Sequence, residues 1–479
     1  MLHTINNRIY SLLLMILFAV PVSAQSLQQR KNDSVFVKVK EFFNTQDAEG
    51  IYSLTGESFR KELSADAFKT IATTQLFPIG KINSSTLISF VNNQLSTYKL
   101  EFGTVTLQLL MTLDDKDKLG MFLFQPYKET SPEKLIEAAT SNPLKTPADK
   151  AIDSIARKYI QKGNTVGLSI GILKNGQIST YGYGETTIGN KKLPDANTLF
   201  EIGSISKTFT AVLLAYYVNE GKVKLTDPVT KYLPDSVAAN PELQQITLLS
   251  LSNHTSGLAR MPDNWEKQAF EPLNPYKNYN KQLLFAYLKN CKLETKPGEK
   301  YAYTNLGVGL LGIALEKISG KSYEVMVKEL IAKPLGLKST VQHITPELAP
   351  RFVTVYNAEG KATPAWDFDA LASCGALRST VTDLLAYAKA NMQSATGTSK
   401  PAKAMELTHH ITFEKDAKMG LGWHIIFVDG VNYIFHNGGT YGSSSFLAFN
   451  TEKNLAVVVL SNAAESTDGL GTELLKKLQ

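Results

Sequence analysis

Two α+β units in series are the fold this chain predicts, the second a two-lobed α+β / α/β domain in which an antiparallel sheet flanked by helices carries a helical lobe. Three observations lead there. Strand-like segments bracket residues 146–479, at Val166–Leu173 and Gln177–Tyr183 and again at Trp423–Val428, Tyr433–His436, Ser445–Asn450 and Leu455–Ser461. Between them lies an insert of apolar helices, and Ala148–Gly163 and Ser466–Leu478 read as terminal helices. Ahead of this domain, residues 25–127 run helices first and a strand meander after, the order of helices packed on one face of a sheet.

Residues 1–24 read as a signal peptide. Arg8 precedes an apolar run, Ile9–Val22, interrupted only by Ser11, and Val22-Ser23-Ala24 supplies small residues before Gln25. The run is too short for a comfortable membrane span, so no stable span is expected after cleavage. The mature chain is therefore expected to be exported, periplasmic or extracellular. No cysteine follows the run to carry a lipid anchor.

In residues 25–127, Ser34–Thr45 and Ala48–Gln75 read as helices, with Phe36, Val39, Phe42 and Phe43 on one side. Strands follow at Leu87–Val91, Tyr98–Phe102, Val105–Leu113 and Leu119–Phe124, with Asp114–Lys118 as a turn. This cone-like order resembles the nuclear-transport-factor-2-like (NTF2-like) superfamily, which implies a spacer, a ligand-binding module or a dimerisation module. Residues 128–145, with Pro132, Pro143 and a short helical Leu135–Thr140, form a linker to the domain at 146–479.

Chemistry concentrates in three places. Ser204-Ile205-Ser206-Lys207 lies where the apolar Leu199–Ile202 stops at Gly203 and a buried helix, Thr208–Asn219, begins. A serine there feels the positive end of the helix, and i and i+3 share a face, so Lys207 can reach the Ser204 hydroxyl. A lysine desolvated in such a pocket can act as a base toward serine. Ser131-Pro132-Glu133-Lys134 has the same spacing but reads as a helix cap. Tyr303-Thr304-Asn305 precedes the small-residue helix starting at Leu306, where a phenol can relay a proton and an amide can hold a carbonyl. Tyr276-Lys277-Asn278 repeats that spacing among Asn274, Pro275, Tyr279 and Asn280, and reads as a solvated loop. His436-Asn437-Gly438-Gly439 follows the strand-like Val431–Phe435, and its glycines let a substrate approach the backbone.

In that order, S-x-x-K, Y-x-N and H-x-G resemble the serine β-lactamase and penicillin-binding protein superfamily, in the branch of class C β-lactamases, D-Ala-D-Ala carboxypeptidases and related esterases. Ile246–Leu258, ending in His-Thr-Ser-Gly-Leu, Gly375–Thr380 and Gly420-Leu421-Gly422-Trp423 agree. The resemblance implies a β-lactamase-like two-lobed hydrolase. Ser204 would be the acylated nucleophile, Lys207 its base, Tyr303 the proton relay and Asn305 a substrate contact. His436, Gly438 and Gly439 would line the opposite wall, the N–H groups of Ser204 and Gly439 forming the oxyanion hole. His254 is expected to shape the fold and Trp423 to sit in the core. The implied function is a serine hydrolase acting on D-amino-acid peptides, esters or β-lactams, peptidoglycan-derived ones among them. A non-turnover penicillin-binding or cell-wall peptide sensor is the alternative.

Two departures bear on substrate. Most β-lactamases carry lysine where His436 stands, and an imidazole titrating near pH ~6.5 would attract a carboxylate only in part at neutral pH. Asn437 replaces the hydroxyl residue common in carboxylate-binding members.

Composition excludes other classes. With 479 residues, 43% hydrophobic and 20% charged, the chain is globular and long enough for two cores. Its net charge of +6 is spread out, so nucleic acid is not an expected partner. Cys291 and Cys374 permit one disulfide or two buried thiols. No histidine pair has metal-ligand spacing, and no cofactor fingerprint occurs, so neither metal nor cofactor is expected. Oligomeric state is not readable.

Overall fold

The computed structural model describes residues 27–91, 94–103, 105–127, 134, 136–267 and 270–479. The expected signal peptide and Ser131-Pro132-Glu133 lie outside them. The chain divides into two compact units between Thr130 and Ser131. Among the described residues no helix is long and apolar enough to cross a membrane.

The first unit opens with the helix Leu27–Asn44, followed by Ala48–Ser53, Glu57–Glu62 and Ala65–Ile71. The single helix expected over Ala48–Gln75 is thus broken. Gly56 starts one piece, and the Ser64 hydroxyl starts the next by accepting from Ala67 N, so local caps override an apolar period that runs on across them. A four-stranded antiparallel meander follows, Ser84–Val91, Leu95–Glu101, Thr106–Leu113 and Leu119–Pro126, paired in chain order. Side chains alternate along it, with Ser96, Tyr98 and Leu100 inward. Aromatic rings fill the space between helices and sheet: Phe36 stacks on Tyr98 at 3.8 Å, and Phe43 meets Phe77 at 5.5 Å.

The second unit is built on an eight-stranded antiparallel sheet. Its order is Phe413–Glu414, Lys418–Met419, His424–Val428, Val431–Gly439, Ser444–Asn450, Leu455–Ser461, Gly167–Lys174, Gln177–Gly184. The first and last parts of this unit therefore meet inside the sheet, one strand from its edge, where Leu455–Ser461 pairs with Gly167–Lys174. Leu455–Ser461 shows why the sheet is covered twice. Ala456, Val458 and Leu460 enter the core shared with the helical lobe, whereas Leu455, Val457 and Val459 enter the core under the terminal helices Pro147–Ile160 and Asp468–Leu478. A capping box with Pro147 in the first turn starts the first of these: Thr146 Oγ1 accepts from Asp149 N, and Asp149 Oδ2 accepts from Thr146 N.

Two expectations need correction here. Ile136–Thr140 is not helical: Ala139 O accepts from Gly184 N, and Ser141 N donates to Gly182 O, so this stretch runs along the open edge of the sheet. Cys291 and Cys374 are both free and buried, so they form no disulfide.

Candidate active site

The turn that carries Ser204 is shaped by backbone. After the short strand Phe200–Glu201, Gly203–Ile205 makes one 3-10 turn and the helix Ser206–Asn219 follows. Ser204 therefore lies in the turn that leads into the helix. The helix is buried nearly all round, as its uniform apolarity requires. Gly203 takes φ +48, and a Cβ there would lie 2.6 Å from Gly439 N. Ser445 Oγ donates to Ile202 O and Leu377 N donates to Ser206 Oγ, pinning the turn from both sides.

Lys207 is 1% exposed, and its Nζ meets three acceptors: Ser204 Oγ at 2.8 Å, Asn305 Oδ1 at 2.8 Å and Cys374 O at 2.6 Å. No carboxylate pairs with it among the described residues. Thr304 explains the Y-x-N spacing. It is the N-cap of the helix Asn305–Ser319, its Oγ1 accepting from Gly307 N at 2.9 Å, so Tyr303 and Asn305 stand on either side of a fixed cap. The Tyr303 ring lies 4.8 Å from Lys207 Nζ and 5.1 Å from the Arg260 guanidinium, two cation–π contacts that position it at the cleft.

The opposite wall differs from expectation. The H-x-G segment does not follow a strand but is one: Val431–Gly439 stays paired through Gly439, opposite Ser444. A Cβ on Gly438 would fall 2.1 Å from Ile202 O and 2.8 Å from Ser204 N, so only glycine lets the strand lie this close to the Ser204 turn. His436 is wholly buried, its Nδ1 2.6 Å from Asn437 O. Burial first, then His424 and Lys207, holds its imidazole well below the ordinary range, so it is neutral at pH 7. The partial cation expected of it is absent, and the wall surface is made by Asn437, Gly438 and Gly439.

Ser204, Tyr303, Asn305, Gly438 and Gly439 line one cleft of about 580 Å³. Residues passed over in the sequence join them. Tyr276, read as part of a solvated loop, is 6% exposed and accepts from Asn305 Nδ2 at 2.8 Å. Trp265, Trp366 and Phe368 pack on its ring and bury it, and Tyr279 packs on Trp265 in turn. Two of these, Trp265 and Tyr279, are near enough in sequence to have signalled a packed loop. His254, expected to be structural, sits in the left-handed region at φ +61, accepts from Thr304 N at 3.2 Å, and lies 4.4 Å from the Tyr303 ring. It thus positions Tyr303. His424 lines the cleft, its Nε2 2.8 Å from Tyr301 Oη, and burial pushes it down to about 4. Glu201, 3% exposed, accepts from Trp366 N and Thr440 Oγ1, tying the strand before Ser204 to the turn after Gly439. Trp423 is buried in the core against Phe449. Among the described residues no group of His, Cys, Asp or Glu side chains could hold a metal ion.

Comparisons with known proteins agree with this architecture. The chain is 27% identical to a β-lactamase of Pseudomonas fluorescens over 66% of its own length and 94% of that protein's. It is 28% identical to the D-alanyl-D-alanine-carboxypeptidase/endopeptidase AmpH of Escherichia coli (strain K12), over 71% and 93%. In fold it is similar to a β-lactamase/D-alanine carboxypeptidase from Pseudomonas syringae, with TM-score 0.62 at 23% identity, covering 70% of this chain and 100% of that one. The Beta-lactamase family model matches residues 152–478, which include every residue of the cleft, and the chain belongs to that family of serine hydrolases.

Proposed function

We propose that this protein is an exported serine hydrolase that cleaves amide or ester acyl donors through an acyl-enzyme on Ser204. Its substrates are small molecules or peptides: D-amino-acid peptides, β-lactams or simple esters. The observation that carries this is the 2.8 Å contact between Lys207 Nζ and Ser204 Oγ inside a buried cradle of carbonyl acceptors. Asn305 Oδ1 and Cys374 O accept from Lys207 Nζ and hold it against Ser204 Oγ, where it serves as the base for the hydroxyl proton. The names of the relatives, a β-lactamase and a carboxypeptidase/endopeptidase, support the substrate class. The signal-like residues 1–24 support export.

Chemistry follows from the contacts. Ser204 Oγ bonds to the acyl carbon as its proton moves to Lys207 Nζ, and the carbonyl oxygen takes the negative charge. The N–H groups of Ser204 and Gly439 receive that oxyanion. Collapse breaks the bond to the leaving group, which takes the proton from Lys207 through the Tyr303 phenol, leaving a Ser204 ester. Water then attacks the ester, its proton passing to the same base. Release of the acid returns the proton to Ser204. The small N-terminal unit acts as a spacer, a role supported by its aromatic-filled interior.

Intact-protein mass spectrometry of the mature protein with a fluorescent penicillin, a chromogenic acetate ester and a D-Ala-D-Ala peptide, each against Ser204→Ala, tests this. Adducts or turnover lost in the variant are expected. An adduct that never turns over, or full biological activity of Ser204→Ala, would favour a sensor instead. No adduct and no turnover with any probe would sink the proposal.

A further inference from the structure

The cleft carries opposite charges on its two sides. Arg260 lies on the helical-lobe side, over the Tyr303 ring, with no ion pair among the described residues. Asp468 lies on the sheet side, at the first turn of the C-terminal helix Asp468–Leu478, and lines the same cleft as Ser204 and Gly439. Asn437 Nδ2 donates to Asp468 Oδ2 at 2.8 Å, which tethers the carboxylate to the strand one residue before Gly438. Among the described residues its other oxygen has no hydrogen-bond partner and no cation pairs with Asp468. The helix terminus behind it favours the negative charge. The neighbouring His436 contributes no positive charge to offset it.

We infer that Asp468 is a specificity-determining residue: it turns the sheet-side wall against anionic groups, so that accepted acyl donors present a neutral or cationic group there, such as a carboxamide, an ester or an amine. This rests on Ser204 being the nucleophile of the cleft. Like charges held a few ångströms apart in a partly desolvated cleft repel strongly, whereas an ammonium or amide N–H is attracted to the free Asp468 oxygen. A wall that discriminates by placing an unpaired charge against the wrong ligand works by exclusion. An anionic substituent elsewhere on the substrate is directed to Arg260.

The test uses one matched pair, N-acetyl-D-Ala-D-Ala with its free carboxylate and the same dipeptide as its C-terminal amide. The wild-type protein should favour the amide in kcat/KM, and Asp468→Asn should shift the ratio toward the carboxylate by about tenfold or more. The wild-type preference should also shrink as salt is raised, a readout that needs no variant. If neither compound is turned over, their dissociation constants for Ser204→Ala and for Ser204→Ala/Asp468→Asn supply the same ratio. A wild-type preference for the carboxylate, or a ratio unmoved by Asp468→Asn and by salt, would overturn the inference. Undiminished turnover in Ser204→Ala would instead overturn the nucleophile assignment.

Discussion

Asn305 Nδ2 donates a 2.8 Å hydrogen bond to the buried Tyr276 hydroxyl, and this fixes which end of the Asn305 amide meets Lys207. A rotated amide would point its NH₂ at the Nζ donors. Tyr276→Phe removes the lock without changing the ring. A lost hydrogen bond of about 1 kcal/mol corresponds to roughly a five- to tenfold fall in kcat/KM. Steady-state rates on a chromogenic ester measure it. Wild-type rates in Tyr276→Phe would mean the Lys207 cradle orients Asn305 unaided.

Lys207→Arg tests the base. A guanidinium cannot release its proton at working pH, and its planar fork does not fit three acceptors arranged around one nitrogen. Acylation should fall by at least about a thousandfold, the scale of losing a nucleophile's base. The burst of acyl-enzyme in single-turnover mixing reads this directly. A burst surviving in Lys207→Arg would point to a different base.

Burial holds four histidines below their ordinary value: His254 and His436 well below it, His409 and His424 down to about 4. Their folded values are depressed for a base, so below about pH 6.5 the unfolded chain binds more protons than the folded one. Stability should therefore be level from pH 7 to 8 and fall as pH drops from about 6.5 toward 4. His409 and His424 would each lose up to about 3 kcal/mol over that window. Thermal unfolding midpoints across the range check this, and His409→Gln should flatten the slope. A midpoint constant from pH 7 to 4.5 would contradict it.

What could be read in advance depended on how local its cause is. Ser204, Lys207, Tyr303 and Asn305 stand at junctions written in neighbouring residues: Gly203 ends a strand, and Thr304 caps a helix. Tyr276 was not legible because its full burial also comes from Trp366 and Phe368, far along the chain. The lowering of His436 was hidden for the same reason, since burial in the sheet, with His424 and Lys207 nearby, sets it. The long strands of the large sheet were legible as short strand-like runs, but the short strands Phe413–Glu414 and Lys418–Met419 are too brief to show a pattern. Asp468 lies in a segment read only as the start of a terminal helix, and its partner Asn437 is 31 residues away.

Gly438→Ala should separate the strand from the Ser204 turn. The new methyl would sit 2.1 Å from Ile202 O, a backbone atom that Ser445 Oγ holds in place. Ile202 also donates its N–H to Leu377 O, so the turn cannot retreat without breaking both bonds. The strand must move instead, and Gly439 N moves with it. Losing one aligned oxyanion donor costs on the order of 10²–10³ in kcat. The cleft wall at Asn305, on the other side, should change far less. The expected signature is thus a kcat loss of at least about a hundredfold with KM within a fewfold of wild type. The thermal midpoint should drop as well, because overpacking a close contact costs about 1–3 kcal/mol. Equal kcat in Gly438→Ala and wild type would show that the Gly439 N–H does not serve the reaction.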